Sequence, residues 1–171
     1  MKINMEKLAD KGFRKIFDSI DKQAVKREVD EKGLDRFIGH CAVLAGGTGA
    51  LSGLGGPMTM MVGVPADIVN NIAQQFRVTL AVIYSRGGSH EIEFEEFMRI
   101  VRLSLGLEVE MIMTRSIMVT VAEKVLQLIR GRVGKRLLPI VGAVVGASTN
   151  YLFIKRIGES VKQIEWSAFS S

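Results

Sequence analysis

Cysteine, histidine and proline are scarce in this sequence of 171 residues. It has one cysteine, Cys41, two histidines, His40 and His90, and three prolines. A disulfide framework and a metal site built on several cysteines are therefore excluded within the chain, and a reducing compartment is the better expectation for a lone thiol. A metal site with two histidine ligands would have to bring His40 and His90 together from distant positions. We therefore predict no bound metal and no cofactor.

A strong excess of charge of one sign is also absent. The chain carries 23 Lys and Arg against 18 Asp and Glu, a formal net charge of +5. This modest positive charge supports contact with nucleic acid or anionic lipid only weakly. The N-terminal sequence MKINMEKLADKGFRKIF is charged and has no apolar run, so we expect no secretory signal. The length fits a single domain over residues 1–171.

Strand patterns are missing as well, and a helical spacing of apolar residues dominates. No convincing run alternates apolar and polar residues, and no Asn-Gly hairpin signal is present. Apolar residues recur mostly every three or four positions, which predicts helices. The fold prediction is an all-α protein, a compact multi-helix bundle. The predicted helices cover residues 1–33 as one amphipathic helix, a short segment from 34, residues 65–87, a segment from 89 or 90 onward, 107–129 and 140–164.

One stretch of the chain, GGTGALSGLGG at residues 46–56, is rich in glycine. A dinucleotide-binding loop needs a strand before it and a βαβ unit around it, and a P-loop must end in Gly-Lys-Ser or Gly-Lys-Thr; neither context is present. Small residues recur at every fourth position here and again at Gly142 and Gly146. Such a row makes a flat helix face that another backbone can approach closely. We therefore predict closely packed, glycine-rich helices.

The same spacing occurs in soluble bundles and in membrane helices, so both settings stay open. Residues 37–66 and 137–154 contain no Lys, Arg, Asp or Glu, and about 20 apolar residues suffice to cross a bilayer. The first span also contains Pro57, Pro65 and many glycines, which argues against a stable crossing. Close packing inside a soluble bundle is favoured over a hairpin that is inserted in, or lies on, a membrane.

Residues with catalytic chemistry are few and scattered. His40 and Cys41 are neighbours in sequence, but adjacent residues on a helix point in different directions, so their adjacency does not make them a nucleophile and its base. Ser52, Asp67 and His90 are the right types for a hydrolytic triad, although nothing in the sequence places them together. We predict no catalytic, cofactor-binding or metal-binding residue. The alternative is a hydrolase-type enzyme with a pocket near Asp67 and His90.

Basic residues are concentrated towards the C-terminal end. From Lys124 to Arg156 the chain has seven basic residues and no acidic one. A solvated bundle surface would account for this run. The functional interpretation is contact with anionic lipid head groups, because basic residues near such a surface are attracted to it. The predicted contacts bracket the uncharged span 137–154 and are Lys135, Arg136, Lys155 and Arg156. Nucleic acid is disfavoured, because no aromatic residue interleaves with the basic residues of 124–136.

Two stretches of the chain resemble a known family. GVPADIVNNIAQQFRVTLAVIYSRGG, followed by an acidic helix, is similar to the middle of the EcsC family of bacterial proteins, and LLPIVGAVVGASTNYLFIKRIGESVKQ resembles its closing segment. The resemblance covers most of 39–161. Here Ser85-Arg86-Gly87 follows Tyr84 where the family pattern often has Tyr-Gly. The positions that match the family pattern, all of them structural, are Pro65, Asp67, Gly142, Gly146, Asn150 and Gly158.

The resemblance implies a bacterial helical protein linked to membrane transport, because the family is named for a gene found beside the genes of an ABC transporter. It implies no catalytic residues. The resulting hypothesis is a non-enzymatic accessory or interaction protein, cytoplasmic or peripheral to the inner membrane. Its expected partner is an anionic membrane surface or a membrane transport protein, and the sequence leaves homo-oligomerisation open.

Overall fold

The computed structural model describes residues 5–47, 66–87, 89, 91–106 and 139–166. These residues form six helices and no strand, and the helices pack against one another as a compact bundle, so the all-α prediction is confirmed. The predicted helix over 107–129, the basic residues of 130–136 and the part of the glycine-rich stretch from residue 48 to 56 lie outside the described residues. The six helices, in chain order, are α1 (Met5–Ser19), α2 (Lys22–Lys32), α3 (Leu34–Gly46), α4 (Ala66–Ser85), α5 (Phe94–Ser104) and α6 (Pro139–Lys162).

The N-terminal region forms two helices, and the prediction of one amphipathic helix over 1–33 is wrong. Helix α1 ends at Ser19, and α2 begins at Lys22. The carboxylate of Asp21 accepts a hydrogen bond from the backbone N–H of Ala24 at 2.8 Å and caps the new helix. An aspartate at this position satisfies a backbone donor that the first turn leaves unpaired. Apolar residues continue at helical spacing across the break, and for this reason the periodicity did not reveal it.

Helix α5 begins later than predicted. We expected a start at Ser89 or His90, and the helix starts at Phe94, with Glu93 as its N-cap. Before it, the backbone N–H of Glu91 donates a hydrogen bond to the hydroxyl of Ser89 at 3.0 Å. A serine that bonds to the backbone two residues further on stabilises a turn in place of a helix. Two acidic residues, Glu95 and Glu96, still occupy the first helical turn, where the positive end of the helix dipole favours them.

Helix α4 is the centre of the bundle. It contacts all five other described helices. Every side chain from Val69 to Ile83 is buried except that of Arg77, which is half-buried. A helix that is enclosed on all sides is expected to be apolar all round, yet α4 contains five buried polar residues. These are Asn70, Asn71, Gln74, Gln75 and Thr79.

Helices α3 and α6 form a closely packed antiparallel pair. Three contacts fix their register: Lys162 Nζ lies 2.6 Å from Asp35 Oδ1, Gly158 packs on Ile38, and Asn150 bonds to the backbone of Ala45. A Cβ atom added to Gly158 would lie 3.0 Å from Cδ1 and Cγ2 of Ile38. This glycine therefore permits the close approach of the two helices. The surroundings of Gly142 and Gly146, further towards the start of α6, lie outside the described side chains.

Five phenylalanines join α1, α4 and α5. Phe17 packs against Phe94 and Phe97, with ring centroids 5.4 and 4.7 Å apart. Phe76 packs edge-to-face on Phe97 at 4.9 Å and lies 6.0 Å from Phe13. Such tilted and edge-to-face pairs are favourable aromatic geometries. The cluster holds the N-terminal helix and α5 against the central helix.

Candidate functional site

A chain of hydrogen bonds crosses the bundle along α4. Asn70 Nδ2 donates to the backbone carbonyl of Leu44 at 3.0 Å, and Gln74 Nε2 donates to Asn70 Oδ1 at 3.2 Å. Arg77 Nη1 in turn donates to Gln74 Oε1 at 3.1 Å, and its Nη2 donates to Glu28 Oε1 at 3.3 Å. Because buried polar groups cost free energy unless they are hydrogen-bonded, this chain makes three of the polar side chains of α4 compatible with burial. It ties α2 and the end of α3 to the central helix.

The end of α3 is held by two asparagines from other helices. The last carbonyl groups of a helix have no partner within it. Asn70 of α4 donates a hydrogen bond to the carbonyl of Leu44. Asn150 of α6 donates one to the carbonyl of Ala45 at 3.2 Å. The family-like position Asn150 therefore has a structural role in this bundle. The sequence signal for the α4 residues was visible as Asn-Asn and Gln-Gln in an apolar stretch, but only its apolar residues entered the helix prediction.

His40 and Cys41 face different surroundings. Nδ1 of His40 lies 3.5 Å from Glu28 Oε2, and the histidine is exposed. The thiol of Cys41 is fully buried, and this burial raises its pKa to about 12, although the positive charge of Arg77 opposes the shift. Since the thiolate is the reactive form of cysteine, Cys41 is an inert packing residue. The expectation that these neighbours do not act as a pair is consistent with this geometry.

Cys41 should consequently resist thiol reagents in the folded protein. With a pKa of about 12, about one thiol in ten thousand is ionised at pH 8. We expect DTNB to react with the native protein at least ~1,000-fold more slowly than with the protein unfolded in urea. The unfolded sample is the reference for an accessible thiol. Equal rates in the two states would contradict the buried position.

An open cleft lies between the α1–α2 junction and the segment before α5. It has a volume of about 530 Å³. Its aromatic wall is formed by Phe17 and Phe94, and both rings are already covered by cations of this chain: Lys22 Nζ lies 4.1 Å from the centroid of Phe17, and the guanidinium of Arg14 lies 4.3 Å from that of Phe94. The described residues that line the cleft include no Ser, Cys or His. The cleft therefore presents charged and aromatic groups but no usual nucleophile.

The exposed large apolar residues of the described structure lie on α3 and α6. Val43 is 61% exposed and Leu152 53%, while Tyr151 lies at the surface at 36%. The antiparallel register places Val43 of α3 at the level of residues 151–153 of α6. On α6, Tyr151 lies about three helical turns before Lys162 on the same helix face, and Lys162 bridges to Asp35 of α3. Isolated exposed apolar residues are common on proteins, but a group of them marks a surface for interaction.

Basic residues border this apolar group. Lys155 and Arg156 follow Tyr151 and Leu152 by one helical turn, so each lies beside one of them on the surface of α6. Arg36 is exposed on the outer side of α3. We call this surface the α3/α6 face. It consists of Arg36, Val43, Tyr151, Leu152, Lys155 and Arg156.

The structure describes some of the residues predicted from the sequence and not others. Lys155 and Arg156 lie on the α3/α6 face, while Lys135 and Arg136 lie outside the described residues. Of the family-like positions, Asn150 and Gly158 contact α3, Gly142 and Gly146 belong to the described backbone of α6, and Asp67 lies in the first turn of α4. The hydrolase alternative rests on Ser52, Asp67 and His90, and the side chains of these three residues lie outside the described part of the structure. Pro65 lies outside it as well.

Two further properties concern metals and membranes. Among the side chains that the structure describes, no group of three His, Cys, Asp or Glu residues could hold a metal ion. No helix within the described ranges combines the length and the apolar character needed to cross a bilayer.

No protein-family model, curated protein or solved structure matches this chain.

Proposed function

We propose that this protein is a non-enzymatic accessory protein of the EcsC type that binds peripherally to the anionic surface of the bacterial inner membrane. The observation that carries the proposal is the α3/α6 face, where exposed Leu152 lies one helical turn from the exposed basic residue Arg156 and Val43 of α3 lies at the same level. The proposed link to an ABC transporter follows from the family resemblance. A membrane transport protein would then bind to the same α3/α6 face.

The composition of the α3/α6 face suits the boundary between head groups and acyl chains. Surface helices bind there by burying apolar side chains and by placing basic residues against anionic lipids. Each basic residue near such a surface contributes about 1 kcal/mol. Val43, Tyr151 and Leu152 supply the apolar part, and Lys155 and Arg156 supply the charge. Acidic Asp35 and Glu159 lie nearby, and Lys162, at 2.6 and 2.9 Å from their carboxylates, offsets one of these two negative charges.

Removing two charges from the α3/α6 face should weaken vesicle binding. The double variant Lys155→Gln with Arg156→Gln loses about 2 kcal/mol by the contribution of each charge, roughly a 30-fold fall in affinity. The measurement is sedimentation with vesicles containing phosphatidylglycerol. The matched control is Lys11→Gln with Arg27→Gln, which removes the same net charge from exposed positions on α1 and α2. The control should retain most of the wild-type affinity.

Varying the salt concentration and the lipid composition of the vesicles can contradict the membrane proposal. Electrostatic binding should weaken strongly between 0.1 and 1 M salt, because the Debye length falls from ~10 to ~3 Å, and vesicles of phosphatidylcholine alone should bind little. Equal losses in both double variants would show that only net charge matters and that the α3/α6 face is not the contact. A protein that never sediments with anionic vesicles at low salt would overturn the membrane proposal and leave a protein partner.

A further inference from the structure

Arg102 is a buried cation in the interior of the bundle. It lies near the end of α5 and is 2% exposed. Its helix neighbours Met98, Val101 and Leu105 are buried as well. None of its three side-chain nitrogens, Nε, Nη1 and Nη2, has a hydrogen-bond partner among the described residues. A guanidinium has five N–H donors and no acceptor, and the described residues satisfy none of these donors.

The positive charge of Arg102 cannot be removed by deprotonation. Burial lowers its pKa from the ordinary value of arginine, and the nearby charge of Arg99 lowers it further. An arginine nevertheless keeps its proton in proteins. The charge that acts on Arg102 from the described residues is that of Arg99, which has the same sign. A buried charge without an opposite partner is strongly unfavourable, and the described residues place no acidic group in a hydrogen bond with Arg102.

A second polar side chain with unused capacity lies on the helix that α5 packs against. Gln75 of α4 is 1% exposed, and neither its amide nitrogen nor its amide oxygen has a hydrogen-bond partner among the described residues. Its chain neighbour Phe76 packs on Phe97 of α5 at 4.9 Å. Helices α4 and α5, which pack against each other, therefore each carry a buried polar side chain whose hydrogen bonds are not made within the described residues.

We propose that Arg102 forms a buried binding site for an anionic phosphate group. A guanidinium binds phosphate oxygens through two parallel hydrogen bonds, and the several oxygens of a phosphate can accept from more of its five donors than a carboxylate can. The group is either a free phosphate or the head group of an anionic phospholipid. Because Arg102 is 2% exposed, the anion enters only when the helices part transiently, and its binding stabilises the closed bundle.

Thermal unfolding in the presence of inorganic phosphate tests the site. At constant ionic strength, with chloride as the reference salt, phosphate should raise the Tm of the wild-type protein in a saturable way, by roughly 5–10 °C at about 100 times Kd. The variant Arg102→Met keeps most of the apolar stem and should lose this rise. In chloride alone, Arg102→Met should melt at the wild-type temperature or above it, because the unpaired charge is gone.

The matched control is Arg99→Met, which removes the same charge one turn earlier on the exposed side of α5. Because the charge of Arg99 also acts at the position of Arg102, this variant should keep most, but not all, of the phosphate response. An equal rise in the wild type and in Arg102→Met would reflect a general salt effect and would overturn the site. If Arg102→Met does not fold, Arg102→Lys replaces it; its ammonium lacks the planar fork and should bind phosphate at least tenfold more weakly.

Two further probes distinguish the sources of the phosphate group. Glycerol 3-phosphate and monomeric dihexanoyl phosphatidylglycerol are compared with inorganic phosphate on the same variants. A rise in Tm that depends on Arg102 and appears only with the lipid assigns the site to a lipid head group, whereas a rise with all three assigns it to the phosphate itself. No rise that depends on Arg102 with any probe overturns the proposal. The proposal does not rest on the α3/α6 face, because the protein is free of vesicles in this experiment.

Discussion

Replacing Phe97 with alanine should lower the free energy of unfolding by about 3–5 kcal/mol. Phe97 is fully buried and packs against Phe17 of α1 at 4.7 Å and against Phe76 of α4 at 4.9 Å. The substitution removes the transfer free energy of the ring and leaves a cavity at the junction of three helices. For a chain of this length, Tm should fall by roughly 6–20 °C. Urea unfolding followed by circular dichroism measures the change.

The variant Phe97→Leu is the control for this prediction. It keeps most of the apolar volume and loses the two aromatic contacts, each worth about 0.5–1.5 kcal/mol. Its loss should therefore be clearly smaller than that of the alanine variant. If Phe97→Ala unfolds at the wild-type urea concentration, the aromatic cluster does not join α1, α4 and α5 as described.

Replacing Gly158 with leucine should cost up to about 3 kcal/mol, the upper part of the range for overpacking. The first side-chain carbon would already lie 3.0 Å from two atoms of Ile38, which is itself buried in the bundle. Helices α3 and α6 would have to separate to accommodate the rest of the side chain. Thermal unfolding measures the loss, and the measurement also tests the prediction that glycine permits close helix packing in this protein.

Gly39 provides a matched control on the partner helix. It also lies inside a helix, but a Cβ atom added there meets nothing within 4 Å. Gly39→Leu should therefore be neutral or stabilising by up to about 1 kcal/mol, because leucine has the better helix propensity. Similar effects at Gly39 and Gly158 would show that helix propensity alone decides both results and that the close contact of α3 with α6 is absent.

The helices α3, α4 and α6 could be placed from the sequence because their ends have local causes. Gly33 and Gly87 adopt positive φ values of 81° and 85°, which glycine reaches without strain. The start of α4 after Pro65 and the end of α6 near residue 162 likewise agree with the predicted bounds to within a few residues. Each of these signals acts within one helical turn, so a reader of the sequence has all the information needed.

The break at Asp21 and the start of α5 were not found, although their causes are also local. Asp21 caps α2 within a continuous helical pattern, and Ser89 forms a turn where acidic residues suggested a helix start. In both places a side-chain hydrogen bond to the backbone competes with helix formation. Whether such a hydrogen bond forms depends on the direction that the chain takes in the tertiary structure. The spacing of apolar residues gives no information about this direction.

The sequence by itself determined the all-α class, the helices with glycine or proline at their ends, and the basic pair Lys155 and Arg156. The tertiary structure alone decided that Val43 of α3 lies at the level of residues 151–153 of α6. It also decided that Gly158 meets Ile38 and that Arg102 is buried without a hydrogen-bond partner among the described residues. The physical reason is that helix formation depends on neighbours within four residues, whereas burial and electrostatic pairing depend on which distant helices pack together. An arginine in a helical pattern is usually a surface residue, and only the tertiary structure shows that this one is buried.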